Sequence, residues 1–265
     1  MLTSLQNPLI KQIRKLHKAK ERHRENLLLL EGTNLLEVAR KVNYPLVTVL
    51  ATELWQKKNY LLWEALQNQA QRVETVTPDV IKNVATTVNP DGVIATAYRH
   101  FSPPQPPENL RLGLIGEGIQ DPGNLGTIIR TSVATNVDFL WLSNNSVDLD
   151  NPKVMRSSVG EWFKIQAKVE NDLIFLIAKY KAKGYQIVAT SLEGKKTHWQ
   201  IDFTKPTILL LGNEAQGLSP ELASLATENV KIPLANNVES LNVAIATAFL
   251  LAEYQRQISQ MMPII

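Results

Sequence analysis

The chain has 265 residues, enough for one large domain or two modest ones, and 44% of them are apolar, as in a packed globular protein. No run approaches the roughly 18 apolar residues of a membrane helix and the start MLTSLQNPLIKQ lacks a signal-peptide pattern, so a cytoplasmic protein is expected. Cysteine is absent, which excludes disulfides, thiolate nucleophiles, cysteine-ligated zinc and iron–sulfur clusters. The net charge of +3 is uneven: residues 1–100 carry 14 Lys and Arg against 9 Asp and Glu (+5), residues 101–265 carry 14 against 16 (−2).

In chain order, Leu5–Arg24 reads as helical and holds most of that positive charge. Lys11, Arg14, Lys15, Lys18, Lys20, Arg22 and Arg24 face only Glu21, a density that suits a polyanionic phosphate backbone or else a solvated helix face. Short apolar strands are expected at 27–32, 46–51 and 92–99, with helices at Asn34–Lys41 and Tyr60–Gln71, giving a small α/β domain over residues 1–101. Ser102-Pro-Pro-Gln-Pro-Pro-Glu108 can neither pair into a sheet nor continue a helix, so 102–108 reads as an extended linker. Residues 109–265 then alternate regularly. Buried parallel strands are expected at Arg111–Gly116, Asp138–Leu142, Tyr185–Thr190 and Thr207–Gly212, with helix starts at Asn151-Pro152, Asn171 and Ser219-Pro220. This predicts an α/β fold with a mostly parallel sheet and helices on both faces. The last helix, about Leu241 to Gln257, is apolar along Val243, Ala246, Ala248, Phe249 and Leu250 and should be buried in the core or against another subunit.

Ligands bind at the carboxyl ends of strands in such sheets, which directs attention to three loops: 116–132, 209–220 and 232–255. In the first, a glycine-rich turn leads through Asn124, a candidate helix cap, to Arg130. Common nucleotide motifs fail on these segments. Gly194-Lys195-Lys196 lacks the spacing of a P-loop, and Gly116-Glu117-Gly118 reaches Asp121 where a dinucleotide fingerprint needs glycine. His17, His23, His100 and His198 are scattered without nearby carboxylates at ligand spacing, so no metal is expected.

The loops carry Asn124-x-Gly126-x-x-x-Arg130, then Gly212-Asn213-Glu214-x-x-Gly217-Leu218, then Ile232-Pro233 followed by Ser240-Leu241-Asn242-Val243-Ala244. In this order and spacing they resemble the three signature motifs of the SpoU (TrmH-like) family, the ribose 2′-O-methyltransferases of the SPOUT superfamily. Residues 151–163 also resemble a segment of that family. Ser4-x-x-Asn7-Pro8, Glu31-Gly32 and Asn89-Pro90-x-Gly92-Val93 resemble the RNA-substrate-binding domain, related to ribosomal proteins, found at the front of many members. No motif position departs from the pattern in a way that suggests lost activity.

The resemblance implies S-adenosylmethionine as cofactor, a C-terminal trefoil knot as its site, and a homodimer with the site at the subunit interface. By resemblance the catalytic set is Asn124, Arg130, Glu214, Ser240 and Asn242, and the cofactor contacts are Leu211, Gly212, Asn213, Gly217, Ile232 and Leu241. RNA would be held by Lys11, Arg14, Lys15, Lys18, Arg22 and Arg24. The family casts Arg130 as the group that activates the 2′-hydroxyl. A guanidinium stays protonated, which favours phosphate binding and alkoxide stabilisation and leaves proton abstraction open. Glu214 can orient Arg130 or accept from the ribose, and Ser240 and Asn242 either start the last helix or line the pocket. Ribosomal RNA is the favoured substrate, with transfer RNA possible. The rivals are methylation of a base nitrogen and an RNA-binding protein without catalysis.

Overall fold

Leu27–Glu31 is buried at every position, which a half-exposed strand would not be, so this strand must be covered on both faces. The computed structural model describes residues 1–99, 104–191, 194–236 and 238–261. They form two units, the first comprising 1–102 and 148–163, the second 103–147 and 164–265.

The first unit runs α1 (Pro8–Lys15), α2 (Ala19–Glu25), β1 (Leu27–Glu31), α3 (Thr33–Lys41), β2 (Leu46–Thr52), α4 (Glu53–Lys58), α5 (Tyr60–Gln69), β3 (Ala70–Val76), α6 (Pro78–Val84) and β4 (Val93–Tyr98). Its sheet has the order β1-β4-β2-β3, antiparallel except for the β2–β3 pair. Ile10 and Ile13 of α1 and Val80, Ile81 and Val84 of α6 cover one face, over Leu27, Leu29, Leu50 and Ile94.

The helix expected over Leu5–Arg24 is broken in two. The Arg22 guanidinium donates to the Leu16 and His17 carbonyls (2.9 and 3.2 Å), satisfying acceptors left open where α1 ends, and Arg22 is only 1% exposed. The expectation that Arg22 binds RNA is therefore overturned: the side chain is buried, and its two terminal nitrogens bond to Leu16, His17 and Asp148 inside the fold.

The second unit runs β5 (Leu112–Gly116), α7 (Pro122–Ala134) and β6 (Phe139–Ser143). After the excursion through α8 (Pro152–Ser157) it continues with β7 (Ala167–Glu170), α9 (Leu173–Ala182), β8 (Gln186–Thr190), β9 (Lys196–Thr197), β10 (Thr207–Leu211), α10 (Pro220–Ser224), β11 (Glu228–Lys231) and α11 (Val243–Met261). Its seven strands are all parallel, in the order β7-β6-β5-β10-β8-β11-β9. The central strands β5 and β10 are wholly buried, as their continuous apolar runs require.

Three helix starts differ from expectation. Asp121, not Asn124, caps α7, its carboxylate accepting the Asn124 N–H at 2.9 Å ahead of Pro122 at the first helical position. Asp172, not Asn171, caps α9. The α11 helix begins at Val243, where Asn242 Oδ1 accepts from the Ala244 and Ile245 N–H groups, so Ser240 is not its cap.

Residues 148–163 separate from the 109–265 stretch expected as one domain. Asp148 pairs with Arg22, Asp150 with Arg99, and Arg156 with Glu31 at 2.8 Å. Glu31 also accepts from the N–H and hydroxyl of Thr86, and Tyr44 packs against the rings of Trp162 and Phe163. Burial alone would raise the Asp148 carboxyl, but the Arg22 guanidinium outweighs it and holds the pKa below the ordinary value. Asp148→Ala, which leaves the Arg22 cation buried without its counter-ion, should cost about 3 kcal/mol in urea unfolding. A loss below about 0.5 kcal/mol would mean that the pair acts as a solvated surface bridge.

Candidate active site

Parallel strands bring the loops after β5, β8, β10 and β11 to one edge of the sheet. There a pocket is lined by Thr190 and Ser191, by 212–218, by Ile232 and Leu234, and by Ser240, Leu241, Val243 and Ala246. The loop after β10 is a closed turn. Asn213 and Gly217 exchange backbone hydrogen bonds at 2.9 Å, and a Cβ on Gly212 would lie 2.3 Å from the Gly217 backbone. Only glycine permits that approach.

Glu214 leaves this loop toward the start of α7. Its carboxylate accepts from the Gln120 and Asp121 N–H groups, both at 3.2 Å, and from Asn124 Nδ2 at 3.0 Å. Asn124 Oδ1 accepts from Asn242 Nδ2 at 2.8 Å, and Asn242 caps α11. Partial burial opposes ionisation of Glu214. The bonds from Asn124 and the backbone outweigh it and set the pKa below the ordinary value, and the anion also lies at the favourable positive end of α7.

Asn124, Glu214 and Asn242, far apart in sequence, are thus joined in one chain of hydrogen bonds. Ser240 lies in the pocket wall beside them. Arg130 is not brought into this cluster. It is exposed on α7, about 9 Å further along the helix axis than Asn124, and bonds to no side chain among the described residues. Of the two roles expected for Glu214, the contact with Arg130 is not made among the described residues of the protomer, where the carboxylate is occupied by the start of α7.

Of the residues expected at the cofactor, Gly212, Asn213, Gly217, Ile232 and Leu241 line the pocket. Leu211 does not: it is buried in β10 and its carbonyl accepts the Glu117 N–H at 2.8 Å. Thr190 and Ser191 were missed, although two hydroxyls at the end of an apolar strand were a usable signal. In the first unit Lys11, Arg14, Lys15 and Lys18 are exposed, while Arg24 is tied to Glu21 and Glu25.

Residues 111–252 match the SpoU rRNA Methylase family. The chain belongs to that family. Within SpoU the methylase match runs over the second unit and takes in residues 148–163 of the first, and residues 7–95 match an MRM3-like substrate binding domain. An uncharacterized tRNA/rRNA methyltransferase of Synechocystis is 45% identical, covering 97% of this chain and 93% of the relative. The Bacillus subtilis 23S rRNA (guanosine(2553)-2′-O)-methyltransferase is 31% identical over 94% of this chain and 96% of its own. The crystal structure of an AdoMet-bound rRNA methyltransferase from Sinorhizobium meliloti superposes with a TM-score of 0.83 at 32% identity, covering 96% of this chain and 97% of that one.

The depressed Glu214 pKa sets the sign of a pH effect. Bonds to the ionised carboxylate contribute stability that is present above the ordinary value of 4.5 and is lost as pH falls through the lower folded value. Thermal unfolding of wild type against Glu214→Gln should show an advantage for wild type at neutral pH that shrinks below pH 4.5. A constant difference down to strong acid would detach the effect from ionisation.

Proposed function

We propose that this SpoU protein transfers the methyl group of S-adenosylmethionine to a ribose 2′-hydroxyl of structured RNA, ribosomal RNA being the favoured substrate. The observation that carries the reading is the Glu214–Asn124–Asn242 chain on the rim of a pocket suited to an adenosyl group. That pocket offers main-chain edges at Gly212, Ile232 and Leu241 for an adenine, apolar side chains at Leu218, Leu234 and Val243 for its faces, and hydroxyls at Thr190 and Ser191. The absence of a side chain at Gly212 and Gly217 lets a ligand approach the main chain there at close range. S-Adenosylmethionine, when bound, supplies an electrophilic methyl group on a sulfonium.

The protein's part is positioning and charge stabilisation. Asn124, locked between Glu214 and Asn242, presents its remaining amide hydrogen and lone pair in a fixed direction toward substrate. Glu214 acts through Asn124, since its own oxygens hold the start of α7. Arg130, exposed and free of side-chain partners among the described residues, holds the phosphate beside the target ribose and stabilises the developing alkoxide. Ser240 adds a hydroxyl to the pocket wall. A non-catalytic RNA-binding role is disfavoured by this intact, interlinked set, and ribose is favoured over a base nitrogen by the Asn124 and Arg130 motif.

Several finer features belong to the same proposal. The out-of-sequence order β5-β10-β8-β11, with the loops after β8, β10 and β11 meeting at one pocket, supports a trefoil knot at the cofactor site. Ile245 and Phe249, one turn apart on α11 and 47% and 46% exposed, form with Trp199 an apolar surface suited to a second copy, so the working form is a homodimer. No helix among the described residues is long and apolar enough to cross a membrane, which agrees with a cytoplasmic enzyme. The Bacillus subtilis relative, similar over both units, is named for 23S ribosomal RNA.

Arg130→Ala should lower methyl transfer to ribosomal RNA by about 100-fold or more while S-adenosylmethionine affinity, read by calorimetry, stays near wild type. Near-normal turnover would remove Arg130 from the mechanism. Replacing Lys11, Arg14, Lys15 and Lys18 together with glutamine should flatten the log–log salt dependence of RNA binding, by about 0.7 to 0.9 for each phosphate that is no longer neutralised. An unchanged slope would assign these residues to a solvated face.

A further inference from the structure

Asn213 stands in the family's second motif and lines the pocket, which invites the reading that its side chain binds the cofactor. The hydrogen bonds argue otherwise. Asn213 Nδ2 donates to the Gly118 carbonyl at 2.7 Å, while Oδ1 accepts from the Ala215 N–H at 2.9 Å and the Gln216 N–H at 3.0 Å. Its backbone N–H and carbonyl are both spent on Gly217. Neither end of the amide is left idle.

The far ends of these bonds explain what they do. Gly118 has a left-handed backbone (φ 63°), and its N–H donates to Ser143 Oγ at 2.7 Å, so the residue whose carbonyl receives Asn213 is itself anchored to the end of β6. Two residues on, the Gln120 and Asp121 N–H groups reach Glu214. Glu117 Oε2 closes the other side of the same loop by accepting the Ser219 N–H at 2.8 Å. One side chain thereby fixes both partners of a contact: the loop that carries Glu214 and the loop whose amides receive it.

We propose that Asn213 is a positioning residue, a clasp between the loops after β5 and β10 that holds the Glu214 carboxylate in register with Asn124, and that its side chain does not contact the cofactor. This rests on the methyltransferase reading above for its catalytic consequence, but the clasp itself does not. Aspartate at 213 has the same shape and still accepts from Ala215 and Gln216. It cannot donate to Gly118, and it sets a carboxylate oxygen against a carbonyl oxygen. The clasp therefore requires the amide and not merely a residue of that size.

The test uses the full chain as Asn213→Ala and Asn213→Asp. Hydrogen exchange in the apo protein should quicken by about tenfold or more over 118–121 and 213–217 in both variants, with the rest of the sheet unchanged. At saturating S-adenosylmethionine and ribosomal RNA, kcat should fall by about 100-fold, as for a displaced reacting geometry, while KM for RNA holds and the acid limb of kcat moves to higher pH as Glu214 loses its donors. S-Adenosylmethionine affinity should weaken by far less than kcat falls. Exchange at the wild-type rate in either variant would overturn the clasp. A weakened affinity with kcat restored at saturation would instead make Asn213 a cofactor ligand. A wild-type protein that methylates no RNA would sink the functional reading, while the exchange rates would still decide the clasp.

Discussion

A carboxylate that accepts three N–H groups from one helix start is hard to move without moving the helix. Glu214 does this to α7: the Gln120 and Asp121 amides and the Asn124 side chain all close on it, and Asn242 then ties Asn124 to the start of α11. These groups come from three different strand–loop crossings and meet only because parallel pairing of β5 with β10 sets the two loops side by side. The bonds in turn limit how far the loops can shift, so sheet register and site geometry sustain each other. In a solvated cleft each bond is worth only about 1 kcal/mol, but their number and shared direction make the arrangement rigid.

The strands most legible from sequence were those with unbroken apolar runs, Leu27–Leu30 in β1, Phe139–Leu142 in β6 and Ile208–Leu211 in β10, since only a strand covered on both faces tolerates such a run. The ones missed are edge or short strands. In β3, AQRVETV, polar residues interrupt the apolar pattern at the sheet's rim, and β11, ENVK, has a single buried side chain. Helix starts failed for a different reason. Asp121-Pro122 is as good a cap signal as any in the chain, yet the motif residue Asn124 three positions on drew the assignment to itself.

The candidate site was legible as a set of residues but not as a set of partners. Motif spacing singled out Asn124, Glu214 and Asn242, but which of them bonds to which depends on pairings between residues about 90 to 118 positions apart, which no local pattern encodes. Arg22 shows the same limit from the other side. Its charge is indistinguishable in sequence from that of Lys18 or Arg24, and only Asp148, 126 residues away, together with two terminal carbonyls of α1, makes it an interior residue.

The excursion of residues 148–163 into the first unit bears on how such proteins can be inherited in pieces. The proline-rich stretch near residue 104 looks like a natural seam at which a substrate-binding domain could be gained, lost or exchanged among family members. A crossover there would deliver Arg22, Arg99 and Glu31 from one parent and Asp148, Asp150 and Arg156 from the other. Six charged side chains would then have to match between lineages that had drifted independently. A crossover at that seam would therefore cost stability unless both parents kept the same three pairings, because each mismatch leaves a buried or half-buried charge without its counter-ion.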